Sequence, residues 1–126
     1  MAAPKSVPWD QIEREQLTPL LQRQFFSTPQ LTLGRFELKK GCFIPEHHHH
    51  NEQVTSVFQG ALKLTFSGHD VIVRPGETVS IPPNLPHSAE ALEDTLVIDV
   101  FTPPRRDWEQ NQDAYLRQGK TASAEK

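Results

Sequence analysis

The sequence predicts an all-β domain, a sandwich or a small barrel, from three observations. The chain has 126 residues, 36% hydrophobic and 23% charged, which suits one globular domain rather than two. Eleven prolines and six glycines interrupt the chain at short intervals, and the runs between them are rich in Val, Ile, Leu, Phe and Thr. Short strands joined by tight turns close readily into a sandwich or barrel, because closure removes exposed sheet edges.

At least seven strands are expected in this domain. They are LLQRQFF (20–26), QLTLGRFEL (30–38), VTSVFQG (54–60), ALKLTFSG (61–68), DVIVRPG (70–76), TVSIPP (78–83) and TLVIDVF (95–101). In the second run the alternation of apolar residues changes phase near Gly34. We expect a β-bulge at that position.

The two ends of the chain have a different character. Residues 8–16 predict one or two helical turns, and residues 106–118 predict a short helix with Asp107 as its N-cap. The final GKTASAEK is polar and is expected to fray. This divides the chain into an N-terminal arm (1–19), a barrel (20–105), and a C-terminal short helix with its tail (106–126).

Charge and composition exclude several classes of protein. The net charge of −3 and the lack of a basic cluster argue against binding to nucleic acid. The opening MAAPKSVPWD lacks the apolar core of a signal peptide, and no stretch is long enough to span a membrane, so the cytoplasm is the expected location. Cys42 is the single cysteine and excludes an internal disulfide. We expect it to be a small buried hydrophobe rather than a nucleophile.

Four of the six histidines are consecutive, in the segment PEHHHHNEQV. If the segment is extended, His47 and His49 share one face with Gln53, whereas His48 and His50 face the opposite way. Divalent first-row metal ions bind imidazole readily, so the first set could hold an ion inside the barrel. The alternative is a solvated patch, and an expression tag is disfavoured by the internal position of the run.

A further imidazole is available in PGETVSIPPNLPHS, where His87 follows a proline-rich turn. The prolines restrict the backbone and therefore limit where this imidazole can point. If its strand crosses opposite the first histidines, His87 could join them. Otherwise it is an ordinary turn residue.

The spacing of these residues resembles the cupin superfamily. Five residues separate Gly41 from His47, one separates His47 from His49, three separate His49 from Gln53, and six separate Gln53 from Gly60. This is similar to the first cupin motif, with glutamine in place of the usual glutamate.

The segment from Gly76 through Pro82 to His87 is similar to the second cupin motif. Asn84 stands where the family usually has glycine, an exchange that is tolerable because Asn enters the left-handed region at small cost. Ala91 stands where the motif often ends in asparagine.

The resemblance implies a cupin double-stranded β-helix (jelly-roll barrel) with short terminal helical segments. It also implies that His47, His49, Gln53 and His87 line one metal centre, and that the protein is a homodimer. The ion would be a divalent transition metal, Mn, Fe, Ni or Zn. Because Gln53 carries no charge, the centre would be formally +2, which favours an anionic small molecule and Lewis-acid chemistry. Alternatively, Gln53 only hydrogen-bonds a neighbour.

The segment IDVFTPPRRDW adds Asp99, Phe101 and Arg105. Asp99 and Phe101 are in phase on one strand, and Arg105 follows two prolines at the expected barrel mouth. Singly, each has a structural explanation: an outward-facing acid, a core aromatic and a solvated loop charge. Together they resemble the cupin that linearises unsaturated uronates in pectin and alginate degradation. That resemblance implies that Asp99 transfers a proton, Arg105 binds the sugar carboxylate and Phe101 packs on the substrate.

Three functions remain open from the sequence. The first is a metal-dependent enzyme of sugar-acid metabolism that linearises an unsaturated uronate. The second is a dioxygenase that cleaves a diketone or an enol. The third is a non-enzymatic cupin that binds or senses a small ligand, of which the regulatory version is disfavoured because no helix-turn-helix segment accompanies the barrel.

Overall fold

A computed structural model describes residues 3–118 of the chain. Within them lie ten strands in two antiparallel sheets, which is the predicted jelly-roll arrangement. The strands are β1 (Glu15–Thr18), β2 (Leu21–Ser27), β3 (Thr32–Leu38), β4 (Phe43–His47), β5 (Glu52–Gln59), β6 (Leu62–Phe66), β7 (His69–Val73), β8 (Thr78–Ile81), β9 (His87–Ala91) and β10 (Thr95–Thr102). The six-stranded sheet has the order β1-β2-β3-β10-β5-β8, and the four-stranded sheet has the order β4-β9-β6-β7.

All seven predicted strands are present, and three further strands are not among them. β1 lies partly where helical turns were expected, and only Trp9–Gln11 forms a short 3-10 helix there. β4 contains a proline, and β9 has the sequence HSAEA, which is poor in residues that favour strands. Pairing with neighbouring strands therefore determines these three elements more than local propensity does.

The predicted β-bulge at Gly34 is wrong. β3 pairs with β2 and with β10 in unbroken register through this residue. The inward-facing residues of β3 are Thr32, Gly34, Phe36 and Leu38. The apparent change of phase arises because Leu31 and Leu33 face outward. A Cβ on Gly34 would lie 3.0 Å from the Phe36 ring and 3.1 Å from the indole of Trp108, so the strand passes here without a side chain.

The core lies between the two sheets and contains Cys42, as expected. This residue is 2% exposed, and burial raises the pKa of its thiol to about 11. A thiol of that pKa is protonated at neutral pH and is a poor nucleophile. Asn84 has φ of 65°, so it adopts the left-handed conformation anticipated for it.

The C-terminal segment contains two short helices rather than one. α1 spans Arg106–Glu109, and a 3-10 helix spans Ala114–Arg117. The prediction of Asp107 as N-cap is wrong, because Arg105 occupies the N-cap position and Asp107 lies in the first turn. The predicted fraying of GKTASAEK lies outside the described residues. No helix within residues 3–118 has both the length and the apolar character needed to cross a membrane.

The turn between β5 and β6 supplies a test of the fold. Gly60 has φ of 82°, and a Cβ there would overlap the Asp94 carbonyl and lie 2.8 Å from the Cα of Thr95. Gly68 has φ of 79°, but its Cβ would meet no atom within 4 Å. We expect Gly68→Ala to lower the free energy of unfolding by about 1 kcal/mol, since it adds only backbone strain. Gly60→Ala adds a steric clash and is expected to cost more than ~2 kcal/mol. The measurement is urea unfolding, and an equal loss in the free energy of unfolding for the two variants would contradict this packing.

Candidate metal centre

Three imidazoles meet between the two sheets. In the pairing of β4 with β9, His47 lies opposite His87, and their ring centroids are 4.4 Å apart. His49 lies in the link from β4 to β5, which passes from one sheet to the other, and its ring is 5.8 Å from His47 and 5.3 Å from His87. One ring nitrogen from each residue lies within 4.8 Å of the others. The intervening His48 and the following His50 are exposed, as the alternation predicted.

Backbone carbonyls fix the orientation of all three rings. Each Nδ1 makes a hydrogen bond to a carbonyl close in sequence: His47 to Pro45 (2.8 Å), His49 to Asn51 (3.1 Å) and His87 to Leu85 (2.8 Å). A carbonyl oxygen only accepts, so each Nδ1 donates and carries the ring's hydrogen. Each Nε2 is therefore unprotonated and carries a lone pair, which is the state in which imidazole binds a metal ion.

Burial keeps these rings neutral. It lowers the pKa of His47 to about 3 and that of His49 to about 4, and it also lowers the pKa of His87. The His87 Nε2 is buried and has no hydrogen-bond partner within residues 3–118. A buried acceptor without a partner is costly in a folded protein, and a metal ion would satisfy it.

Gln53 supplies an oxygen beside the histidines. Its Nε2 donates to Thr55 Oγ1 at 2.9 Å, which directs its Oε1 toward His49, where it lies 3.1 Å from Nε2. Because Nδ1 of His49 holds the hydrogen, Nε2 and Oε1 are two acceptors facing each other. A cation bound to both would convert this repulsive arrangement into an attractive one, so the residues fit a divalent ion.

The six-stranded sheet contributes the opposite wall. The register of β5 with β10 places Asp99 opposite Thr55 and Phe101 opposite Gln53, with all four side chains facing inward. The possibility that Asp99 faces outward is therefore wrong, since the residue is 6% exposed. Burial raises the pKa of Asp99 to about 7, although Thr55, Arg105 and Gln53 act in the opposite direction. A carboxyl with this pKa is present in both protonation states near neutral pH.

Arg105 lies in the interior rather than in water as a loop charge. It is 2% exposed, and its Nε and Nη2 donate to the Asp107 carboxylate at 3.0 and 2.7 Å. Nη2 also donates to the Tyr115 hydroxyl at 2.7 Å. The guanidinium carbon lies 4.7 Å from the ring centroid of Phe101 and 4.6 Å from that of Trp108. A permanent positive charge is thus held against aromatic rings.

Most of these groups line one cavity of about 50 Å³. Its lining includes His47, Gln53, His87, Asp99, Phe101, Arg105 and Tyr115. This space suits an ion with bound water, and it is smaller than the ~300 Å³ or more of typical small-molecule sites. Binding of a sugar-sized ligand therefore requires the side chains or the C-terminal segment around the cavity to move.

Sequence reasoning did not single out Thr55 and Tyr115. Thr55 could have been found, because it is in phase with Gln53 on the same strand. Tyr115 had no such signal, since it lies outside the strands in a 3-10 helix whose position depends on contacts with β1 and β4.

Comparisons with known proteins identify relatives of this fold. The family described as "Cupin domain" matches residues 34–101. The structure of KdgF from Halomonas sp. is 29% identical and has a TM-score of 0.78, covering 84% of this chain and 99% of its own. An RmlC-like cupin from Shewanella frigidimarina is 25% identical with a TM-score of 0.77, covering 84% of this chain and 96% of its own. Oxalate decarboxylase from Bacillus subtilis is 20% identical with a TM-score of 0.69 and shares the fold, covering 81% of this chain and 30% of its own. No curated protein matches the sequence.

Metal loading tests the cluster directly. We expect the untagged parent to bind about one zinc ion per chain, and His87→Ala to bind less than about a tenth of that, because its loss leaves only two imidazoles and a neutral amide oxygen, a set too weak to retain the ion. His48→Ala removes an exposed histidine and is expected to bind like the parent. The measurement is elemental analysis after dialysis. Equal zinc in His87→Ala and in the parent would contradict the assignment.

The lowered histidine pKa values predict how acid affects the metal-free protein. The unfolded chain takes up protons at these histidines below about pH 6.5, whereas folded His47 stays neutral down to about pH 3. The stability present above pH 6.5 is therefore lost as the pH falls toward 3, because the unfolded state binds more protons.

We expect His47→Gln to flatten the pH dependence of the free energy of unfolding between pH 7.5 and 5. His50→Gln, an exposed control, is expected to leave that dependence unchanged. The measurement is urea unfolding with a chelator present. If the free energy of unfolding depends on pH equally in the parent and in His47→Gln, then His47 is not held in the neutral form by the fold.

Proposed function

Since the chain belongs to the cupin family, we propose that it is a metal-dependent enzyme that linearises an unsaturated uronate. One observation carries the proposal: a single cavity is lined by two members of the three-histidine cluster, His47 and His87, together with a buried guanidinium and a carboxyl whose pKa is about 7. The likeness to KdgF from Halomonas sp. and the motif resemblance to uronate-linearising cupins support it.

The substrate would be a cyclic unsaturated sugar acid, and Arg105 accounts for recognition of its carboxylate. The guanidinium lines the cavity and stays charged at any working pH. Phe101 presents its ring to the same space and supplies an apolar surface for the sugar. His47, His49, His87 and Gln53 would hold a divalent Mn, Fe, Ni or Zn ion, which when bound supplies Lewis acidity to a sugar oxygen.

Asp99 can account for both proton transfers in such a reaction. As the carboxylate, it accepts the proton of the anomeric hydroxyl while the anomeric C=O bond forms and the bond to the ring oxygen breaks. The ring oxygen leaves as an enolate. As the acid, Asp99 then donates the proton to the alkene carbon remote from that oxygen, and the enolate becomes a ketone. One proton is removed and one is returned, so the product is an isomer of the substrate and Asp99 is regenerated.

The pKa of Asp99 suits this alternation. A group whose pKa lies near the operating pH both accepts and donates protons effectively. Its Oδ1 is buried with no hydrogen-bond partner within residues 3–118, so it is available to a substrate. Most of the residues that line the cavity are apolar, and a low local dielectric strengthens the electrostatic contacts to Arg105.

Replacement of the carboxyl tests the proposal. We expect Asp99→Asn to reduce turnover by ~100-fold or more, in keeping with the loss of a general acid and base, while metal content is retained. The exposed Asp10→Asn is the control. The measurement is the decrease in ultraviolet absorbance of an unsaturated uronate with Mn, Ni or Zn added. An Asp99→Asn variant as active as the parent would disprove the role, and oxygen uptake during turnover would indicate dioxygenase chemistry instead.

A further inference from the structure

We propose that Tyr115 is a positioning residue of this site, which acts with Asp107 to hold Arg105 so that its Nη1 edge is the one presented to a ligand carboxylate. The inference rests on the proposed function in one respect, that a carboxylate-bearing molecule binds in the cavity. It concerns how that carboxylate is recognised rather than how the substrate reacts.

The hydrogen bonds of Arg105 show which donors remain. A guanidinium has five N–H groups, one on Nε and two on each terminal nitrogen. Asp107 accepts from Nε and from Nη2, and the Tyr115 hydroxyl accepts from Nη2. Three donors are therefore engaged, and within residues 3–118 no group accepts from Nη1. The Nε and Nη2 fork that usually grips a carboxylate in a bidentate manner is already occupied, so a ligand meets Nη1.

Tyr115 reaches Arg105 because an ion-pair network fixes its helix. The preceding Asp113 is 1% exposed and pairs with Arg23 of β2 at 2.8 Å. Arg117 donates to the same carboxylate at 3.0 Å. This network holds the 3-10 helix against the barrel, and the Tyr115 ring then packs 4.5 Å from the ring of His47. The phenol thus contacts both the guanidinium and the three-histidine cluster.

A purely structural role makes a different prediction from a positioning role. If Tyr115 only packs the C-terminal segment onto the barrel, its replacement should disturb His47 and Arg105 together, and metal affinity should fall with carboxylate affinity. If its hydroxyl positions Arg105, then Tyr115→Phe keeps the ring against His47 and removes only the hydrogen bond. Carboxylate affinity should then fall alone.

The experiment compares two affinities in the same variants. The two ligands, zinc and galacturonate, are titrated by calorimetry, and galacturonate is added to zinc-loaded protein. Galacturonate is a saturated uronate, so it carries the carboxylate but has no alkene on which the proposed reaction could occur. For Tyr115→Phe we expect galacturonate binding to weaken about fivefold, as for the loss of one hydrogen bond, with zinc affinity unchanged within about twofold. Arg106→Gln is the control, because it removes an exposed neighbouring charge, and is expected to bind both like the parent.

Three results would overturn the inference: unchanged galacturonate affinity in Tyr115→Phe, a parallel loss of zinc affinity, or a parent that does not bind galacturonate. If Tyr115→Phe does not fold, Asp107→Asn weakens the other tether, and it must show the selective loss for the inference to stand. A parent that binds galacturonate in this manner but does not turn over an unsaturated uronate would refute the proposed function and leave the role of Tyr115 intact.

Discussion

The site depends on imidazole nitrogen lone pairs that face one another, of which the one on His87 is fully buried. Three backbone carbonyls take the Nδ1 hydrogens of His47, His49 and His87, and burial keeps the rings neutral. The Gln53 oxygen adds a further acceptor at the same place. Such a group of acceptors is costly without a positive charge among them, and it is well suited to hold one. The jelly roll makes the arrangement achievable, since β4 and β9 bring two imidazoles from one sheet and β5 brings the amide from the other.

The second element of the site is a chain of contacts that connects the C-terminal segment to the cavity. Trp108 lies beneath Arg105 and also contacts the guanidinium of Arg23, at 4.6 and 4.7 Å from its ring. Arg23 pairs with Asp113, and two residues later Tyr115 returns to Arg105. Contacts of this kind couple two charges that lie in different parts of the sequence. They explain why Arg105, which taken singly could have been a solvated loop charge, is among the most buried residues that the structure describes.

Local patterns in the sequence were sufficient for the parts of the structure that depend on alternation. The period of two along a strand places Asp99 and Phe101 on one face, and the motif spacing anticipates the meeting of His47 and His49 with His87. The rest depends on partners remote in sequence. β9 is a strand because β4 and β6 flank it, not because HSAEA favours one. The burial of Arg105 likewise depends on Asp107, Tyr115 and Trp108 together, and no pattern in IDVFTPPRRDW reveals it.

Gly34 shows that the chemistry of the site constrains a strand that contributes none of the proposed ligands. It pairs with Asp99 across β3 and β10, and the indole of Trp108 occupies the space that a side chain on Gly34 would need. A methyl group there would press on the indole that supports both guanidiniums. A search for proteins that share this arrangement of side chains should therefore require a glycine at this point of the third strand as well as the histidines, and a redesign of the pocket should leave that position unchanged.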